Sequence, residues 1–86
     1  MIFVYSQKFT KQFKKIDHKS KTRFRERMTT FVNDSYDPIL NNHKLHGEYS
    51  DYRSIDVTSD LRVVYRLISK DKILLYRIGT HSELYT

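Results

Sequence analysis

The chain has 86 residues, of which 38% are hydrophobic, and it carries a formal net charge of +6 with no cysteine. A chain of this length buries about 60–65% of its unfolded surface, so we expect a single domain over residues 1–86 with one modest core. The lack of cysteine excludes disulfide bridges and thiolate metal sites.

The beginning of the chain predicts a strand followed by a helix. Residues 2–5 form a short apolar run typical of a strand. Ser6 is a suitable N-cap, and Phe9, Phe13 and Ile16 then recur at helical spacing over about three turns. The apolar start is too short for a signal peptide or a membrane span, so we expect a cytoplasmic protein with no membrane partner.

A second helix is predicted from about Ser20 to Asn33, after a break at 17–20 that is rich in cap-forming residues. A loop containing Pro38 follows over 34–42. The residues predicted to share the buried face of this helix are Phe24, Met28, Phe31 and Val32.

The two helices are strongly basic. Nine Lys and Arg residues lie between Lys8 and Arg27, against two acidic residues. Such a surface favours a polyanion such as RNA, although an acidic protein partner or a merely solvated helical face would fit as well. The candidate RNA-binding residues are Lys11, Lys14, Lys15, Lys44 and Tyr85.

The second half of the chain predicts three strands, at 49–57, 61–68 and 73–78, joined by short hairpin turns. The predicted fold is therefore α+β: a strand, two helices and an antiparallel three-strand meander, with the helices packed on one face of the sheet. The place of the first strand in the sheet is left open.

The segment after the last predicted strand carries residues suited to phosphodiester chemistry. Arg77, His81 and Tyr85 follow one another at spacings of four, across Gly79, which would let the backbone turn. A cation can hold a phosphate, an imidazole can move a proton near neutral pH, and an aromatic ring can stack on a base.

Further candidates lie upstream. His43 precedes the sheet, and Asp60 and Arg62 open the middle strand two positions apart, which would place both side chains on one face. Together these residues predict a site for RNA cleavage. The alternatives are inert surface histidines, a hairpin cap at Asp60 and cross-strand ion pairs. His43 and His46 lack a carboxylate-rich frame, so no metal site is predicted.

Several motifs in the second half recur in an order that resembles the YafQ branch of the RelE/ParE superfamily, the toxins of bacterial type II toxin–antitoxin pairs. The resemblance covers about half the chain, from His43 to the end. Its elements are His43-Lys44-Leu45-x-Gly47, then Tyr52-Arg53, then Asp60-x-Arg62-Val63-Val64-Tyr65, then Arg77-x-Gly79-Thr80-His81-Ser82-x-Leu84-Tyr85.

The resemblance implies a RelE-like fold and an mRNA interferase that needs no cofactor and cleaves messenger RNA on the ribosome. In such a reaction the 2′-hydroxyl of the target nucleotide attacks the adjacent phosphate, which DNA cannot do. The implied partners are messenger RNA, ribosomal RNA and an acidic antitoxin, with operator DNA bound only through the toxin–antitoxin complex.

The resemblance also implies residue roles. His81 would be the general acid and His43 the general base or a substrate-positioning residue. Asp60 would orient a histidine or assist the base. Arg62 and Arg77 would stabilise the charged phosphorane.

Two features of the resemblance concern single positions. Tyr85 would stack on a base. The family pattern expects a second histidine where this chain has Asp56. Either Asp56 replaces that histidine as a base, because a carboxyl group is a poor acid at pH 7, or the site works with His43 and His81 alone.

Two other functions remain open from the sequence. A ParE-like inhibitor of DNA gyrase would need no catalytic histidines, and a nucleic-acid-binding module would need only the basic helices.

Overall fold

The computed structural model describes residues 1–85, with side chains through residue 84. The strands are β1 (Ile2–Tyr5), β2 (His43–Lys44), β3 (Arg53–Asp56), β4 (Leu61–Ser69) and β5 (Lys72–Thr80). The α-helices are α1 (Gln7–Lys15), α2 (His18–Asn33) and α3 (His81–Tyr85), and short 3-10 turns lie at Pro38–Leu40 and Gly47–Tyr49. In this part of the chain no helix is long and apolar enough to cross a membrane.

The strands form one sheet in the order β1-β5-β4-β3-β2. The meander β3-β4-β5 is antiparallel, as predicted, and β2 adds a two-residue antiparallel edge that was not predicted. β1 pairs parallel to β5, with Ile2 opposite Lys72, which places the first strand at the far edge of the sheet. The α+β fold class is therefore confirmed.

Side-chain caps determine where the first two helices begin. Ser6 accepts the backbone N–H of Phe9, as predicted, and its hydroxyl also donates to the carbonyl oxygen of Tyr76. Asp17 accepts the N–H of Ser20 at 2.7 Å, so α2 begins at His18, two residues before the predicted start. The prediction that Val32 faces the core was wrong, because its side chain is 51% exposed.

The main core lies between the sheet and helices α1 and α2, which cover one face as predicted. Residues on alternate positions of each strand meet apolar side chains of both helices, consistent with the period of two in a strand. The most enclosed members of this cluster are Phe9, Phe31, Leu40, Ile55, Val57, Val63, Leu75 and Ile78.

A second, smaller apolar cluster covers the opposite face. It contains Leu45, Val64 and Leu84, with Tyr49, Tyr52 and Tyr76 packed against them. The prediction of a strand over 49–57 was wrong at its start. The chain turns first at 47–49, after a glycine with φ of +68°, and β3 begins only at Arg53.

A β-bulge in β5 brings two consecutive side chains to this second face. Val64 lies opposite Arg77, but its neighbour Tyr65 lies opposite Leu75, so Tyr76 is an extra residue in β5. A bulge of this kind leaves one residue unpaired and re-aims its neighbours. Tyr76 consequently joins the second cluster, while Arg77 reaches α3.

Candidate active site

An open groove of about 360 Å³ lies on the second face, between β2, β4 and the start of α3. Four of the predicted site residues line it, namely His43, Lys44, Arg62 and His81. Leu45 and His46 complete the lining. The groove therefore combines imidazole rings, a guanidinium group and a lysine above an apolar residue.

The sheet register explains why residues far apart in sequence meet here. Residues directly opposite on neighbouring strands project to the same face. His43 lies opposite Ser54, which lies opposite Val64. Arg62 lies opposite Asp56 on one side and Gly79 on the other. The pairing therefore aligns two adjacent rows of side chains across the second face.

His43 has a defined ring orientation. Its Nδ1 atom lies 2.8 Å from the carbonyl oxygen of Asn41. A carbonyl oxygen can only accept, so Nδ1 carries the proton in this contact. In the neutral ring Nε2 is then the unprotonated nitrogen, as a general base requires.

Arg62 is held by an ion pair with Asp56. Its Nε lies 3.3 Å from Oδ1 of Asp56, and the side chains are 23% and 26% exposed. Oδ2 of Asp56 also accepts a long hydrogen bond of 3.4 Å from the side-chain amide of Asn41. This contact places the guanidinium group of Arg62 beside Asp56, at the wall of the groove.

His81 is the first residue of α3, and a capping box fixes that helix start. The N–H of Glu83 donates to Oγ1 of Thr80, and Oε1 of Glu83 accepts the N–H of Thr80 at 2.7 Å. This reciprocal pair satisfies two backbone donors at a helix N-terminus. The hydrogen bond from Thr80 lowers the pKa of the Glu83 carboxyl group. His81 is thereby placed at the end of β5, beside the groove.

Gly79 has a different role from the predicted one. The strand continues through Gly79 to Thr80, and its φ lies outside the left-handed region. A Cβ atom at this position would lie 3.1 Å from Oε1 of Glu83 and 3.5 Å from Cδ2 of Leu84. The glycine therefore allows α3 to pack closely against β5.

The structure separates two predicted residues from the groove. Arg77 donates to the carbonyl oxygens of Glu83 and Leu84, at 3.2 and 3.1 Å, so its guanidinium group secures the end of α3. Asp60 directly precedes β4, which begins at Leu61 as predicted. Asp60 is exposed in the β3–β4 turn and is not among the residues that line the groove.

The lysines of α1 differ in their surroundings. Lys15 lies close enough to Glu83 to help lower the pKa of that carboxyl group, and Lys8 lies over the ring of Tyr76. Lys14 instead lines a hollow between the helices, with Phe13. Lys11 is exposed.

Three further observations complete the site. The side chain of Tyr85, which was predicted to stack on a base, lies outside the described residues. Sequence reasoning missed Asn41, whose only signal was the tolerance of asparagine for turn conformations after Pro38. His46, considered only as a metal ligand, lines the groove. In the described residues no three His, Asp or Glu side chains are arranged to hold a metal ion.

Comparison with known proteins identifies the family. The sequence model of the YafQ toxin family, bacterial toxins of type II toxin–antitoxin systems, matches residues 1–86. The chain belongs to the YafQ toxin family. The mRNA interferase toxin YafQ of Escherichia coli K12 is 30% identical over an alignment 86 residues long, which covers 94% of this chain and 91% of that protein.

Solved structures agree with this assignment. The crystal structure of the E. coli DinJ–YafQ complex superposes with a TM-score of 0.80 at 26% identity, covering 98% of this chain and 97% of that one. A YoeB/ParE toxin from Agrobacterium tumefaciens gives a TM-score of 0.79 at 16% identity, with 94% and 99% covered, and shares the fold. These matches confirm the RelE-like fold predicted from the sequence.

Proposed function

We propose that this protein is an mRNA interferase, a single-domain toxin that cleaves messenger RNA on the ribosome in the cytoplasm. The observation that carries the proposal is that His43, Arg62 and His81 line one groove in a chain of the YafQ family. The similar E. coli protein is named an mRNA interferase. The basic surface, with a net charge of +6, suits an RNA substrate.

The proposed reaction uses the RNA itself as nucleophile. Nε2 of His43 removes the proton of the 2′-hydroxyl, and the 2′-oxygen forms a bond to the adjacent phosphorus. The bond from phosphorus to the 5′-oxygen breaks, and His81 donates a proton to that leaving oxygen. The products are a 2′,3′-cyclic phosphate and a 5′-hydroxyl. Each positioned acid or base supplies about 10²–10⁴-fold of the acceleration.

The arginine and the carboxylates have different roles in this proposal. The terminal nitrogens of Arg62 bind the phosphoryl oxygens and stabilise the charge that develops on them. Asp56 holds Arg62 through the ion pair and does not act as the base. Arg77 supports the helix that carries His81, and Asp60 acts at the hairpin turn rather than on the substrate.

We further propose that an acidic antitoxin neutralises the protein. The related E. coli toxin has been crystallised with its antitoxin DinJ. An acidic partner complements the basic helices of this chain and would cover the groove, because charge complementarity steers and orients such complexes. Operator DNA would be bound by the complex, through the antitoxin.

The test is expression of the parent chain, His81→Ala and Ser82→Ala in translating cells, followed by mapping of messenger RNA 5′ ends. Ser82 is a matched control because it is the exposed neighbour of His81 on α3. Cuts in register with codons for the parent and Ser82→Ala, and their loss in His81→Ala, would support the proposal. Growth arrest without new 5′ ends would contradict it and favour gyrase inhibition or binding alone.

A further inference from the structure

Asn41 has an unusual backbone conformation. With φ of 47° and ψ of 46° it is the one non-glycine residue with positive φ in the described part of the chain. Its N–H donates to the carbonyl oxygen of Pro38 and closes the 3-10 turn. L-residues with a Cβ atom rarely adopt this left-handed conformation, and asparagine is among those that tolerate it best.

This conformation sets the direction of the Asn41 carbonyl group. The carbonyl oxygen accepts the Nδ1–H of His43 at 2.8 Å, two residues along the chain. Rotation of the Asn41 backbone into the extended or helical region would turn the carbonyl away from the ring. The left-handed turn therefore determines which ring nitrogen of His43 carries the proton and which one is presented for chemistry.

The side chain of Asn41 extends to the other half of the groove. Its Nδ2 atom lies 3.4 Å from Oδ2 of Asp56, whose other oxygen faces Nε of Arg62 at 3.3 Å. One residue thus contacts His43 through its main chain and the Asp56–Arg62 pair through its side chain. Asn41 does not itself line the groove. It contacts His43, which lines the groove, and Asp56, which is paired with the lining residue Arg62.

We infer that Asn41 is a positioning residue for the cleavage reaction: its left-handed backbone selects the Nδ1–H tautomer of His43, and its amide steadies Asp56 behind Arg62. The inference rests on the proposed function. It separates two contributions of one residue, because the first depends on the backbone alone and the second on the side chain.

Two substitutions distinguish these contributions. Asn41→Gly keeps the left-handed conformation at no steric cost and removes the amide. Asn41→Val removes the amide and also disfavours positive φ, because a β-branched residue is a severe outlier there. Asn33→Val is the control, since Asn33 is an exposed asparagine at the end of α2. If Asn41→Val fails to fold, Asn41→Ala takes its place, because alanine is less strained than valine at positive φ.

The first readout is the tautomer of His43, from the ¹⁵N shifts of its two ring nitrogens at a pH where the ring is neutral. The His43 signals are assigned by their loss in His43→Gln. The second readout is the pH profile of messenger RNA cleavage in a reconstituted translation system. A purely structural role for Asn41 would change neither the tautomer nor the pH profile, provided that the variant stays folded.

The expected results differ between the variants. The parent, Asn33→Val and Asn41→Gly keep the Nδ1–H tautomer, and Asn41→Gly loses only a few-fold in rate. Asn41→Val, or Asn41→Ala in its place, shifts His43 toward the Nε2–H tautomer. Its cleavage rate falls about tenfold or more, mainly on the limb of the pH profile that reports the general base.

Failure of this inference and failure of the proposed function have different signatures. A folded Asn41→Val or Asn41→Ala that has the parent's tautomer and the parent's rate would overturn the inference and leave the proposed function standing. A parent chain that cleaves no messenger RNA would overturn both, whatever the tautomer of His43.

Discussion

Nε of Arg62 lies 3.3 Å from Oδ1 of Asp56 across the β3–β4 pair, and each side chain is only about one-quarter exposed, at 23% and 26%. The ion pair gives Asp56 a structural contact, and its suggested role as a base stays a prediction. A carboxylate that already holds a guanidinium group competes with a substrate phosphate for the same cation. In the proposed reaction the pair would therefore both orient Arg62 and weaken its attraction for the phosphate.

We expect the two residues to be energetically coupled. Arg62→Ala should lower the free energy of unfolding by about 1–3 kcal/mol, because it leaves the Asp56 carboxylate half-buried without its partner. Asp56→Asn together with Arg62→Ala should cost less than the sum of the two single changes. A double-mutant cycle by urea unfolding measures this, and additive costs would show that the two side chains are independent.

The capping box predicts a pH dependence at the start of α3. The Thr80 hydrogen bond lowers the pKa of Glu83 from its ordinary value of 4.5. A carboxyl group with a lowered folded pKa stabilises the fold above its unfolded pKa, and this stabilisation is lost as pH falls through the folded pKa. The Thr80 amide shift should therefore change below about pH 4.5 in the parent and stay constant in Glu83→Gln. A pH-independent shift in the parent would contradict the capping box.

A side chain at Gly79 should be destabilising, for a steric reason. In Gly79→Ala the new Cβ lies 3.1 Å from Oε1 and 3.4 Å from Cβ of Glu83, so the Glu83 side chain, and with it the start of α3, must shift slightly. We expect a loss of about 1 kcal/mol in the free energy of unfolding, by overpacking, together with slower RNA cleavage because His81 moves with the helix. Thermal melting and a cleavage assay would measure the two effects.

Gly47 provides the contrast. Its φ is +68°, and beyond its two chain neighbours no atom of the described residues would lie within 4 Å of an added Cβ, so its requirement is conformational rather than steric. Gly47→Asn should therefore be less destabilising than Gly47→Ala, since asparagine tolerates this region. Equal losses for the two variants would rule out the conformational explanation.

Lys14 and Lys15, which are neighbours on α1, should differ in their effect on RNA affinity. Lys15 lies near Glu83, whereas Lys14 lines the hollow between the helices. Lys15→Ala should weaken binding of RNA and lower the salt dependence of log K by about 0.7, the value for one phosphate of a single strand. Lys14→Ala is the matched control, with the same change in charge. Similar salt slopes for both variants would mean that RNA does not bind preferentially along the surface near Lys15 and α3.

Ser54 predicts a stabilising substitution. Its side chain is fully buried between His43 and Val64 in the sheet, and its hydroxyl has no hydrogen-bond partner in the described residues. Ser54→Ala should raise the free energy of unfolding by up to about 1 kcal/mol, because it removes an unsatisfied polar group.

Ser35→Ala is the control for that measurement. The Ser35 hydroxyl donates to the carbonyl oxygen of Phe31, so its removal should destabilise the protein by about 0.5–1.5 kcal/mol. Denaturant unfolding of both variants gives the comparison, and a loss of stability in Ser54→Ala would indicate a partner for that hydroxyl.

Local patterns predicted most of the elements. The strand at Ile2–Tyr5 was predicted with the bounds that the structure shows, and β4 and β5 differ from their predictions by one or two residues at their ends. Strand periodicity failed at 49–52, where the positive φ of Gly47 starts a 3-10 turn that alternation alone does not reveal. Helix α3 was missed although Thr80-x-x-Glu83 is a capping-box pattern.

The site was predictable to the extent that its residues sit at strand ends. His43, Arg62 and His81 meet because the register aligns β2, β4 and the end of β5, whereas Arg77 is diverted to α3 by the bulge at Tyr76. A bulge and a parallel pairing depend on tertiary packing, so no local pattern identifies them. The contacts of Asn41 depend in the same way on a backbone conformation that its sequence position permits but does not require.

The parallel pairing of β1 with β5 has a consequence for how the molecule reaches its native state. The β3-β4-β5 meander closes through short turns, whereas Ile2 finds Lys72 only after most of the chain has been looped back. Because loop-closure entropy must be overcome before such distant pairings gain free energy, we expect the meander to order first and β1 to dock late. The residues that line the groove all lie in the half of the chain that contains the meander, so we expect the candidate site to take shape before the outer edge of the sheet is sealed.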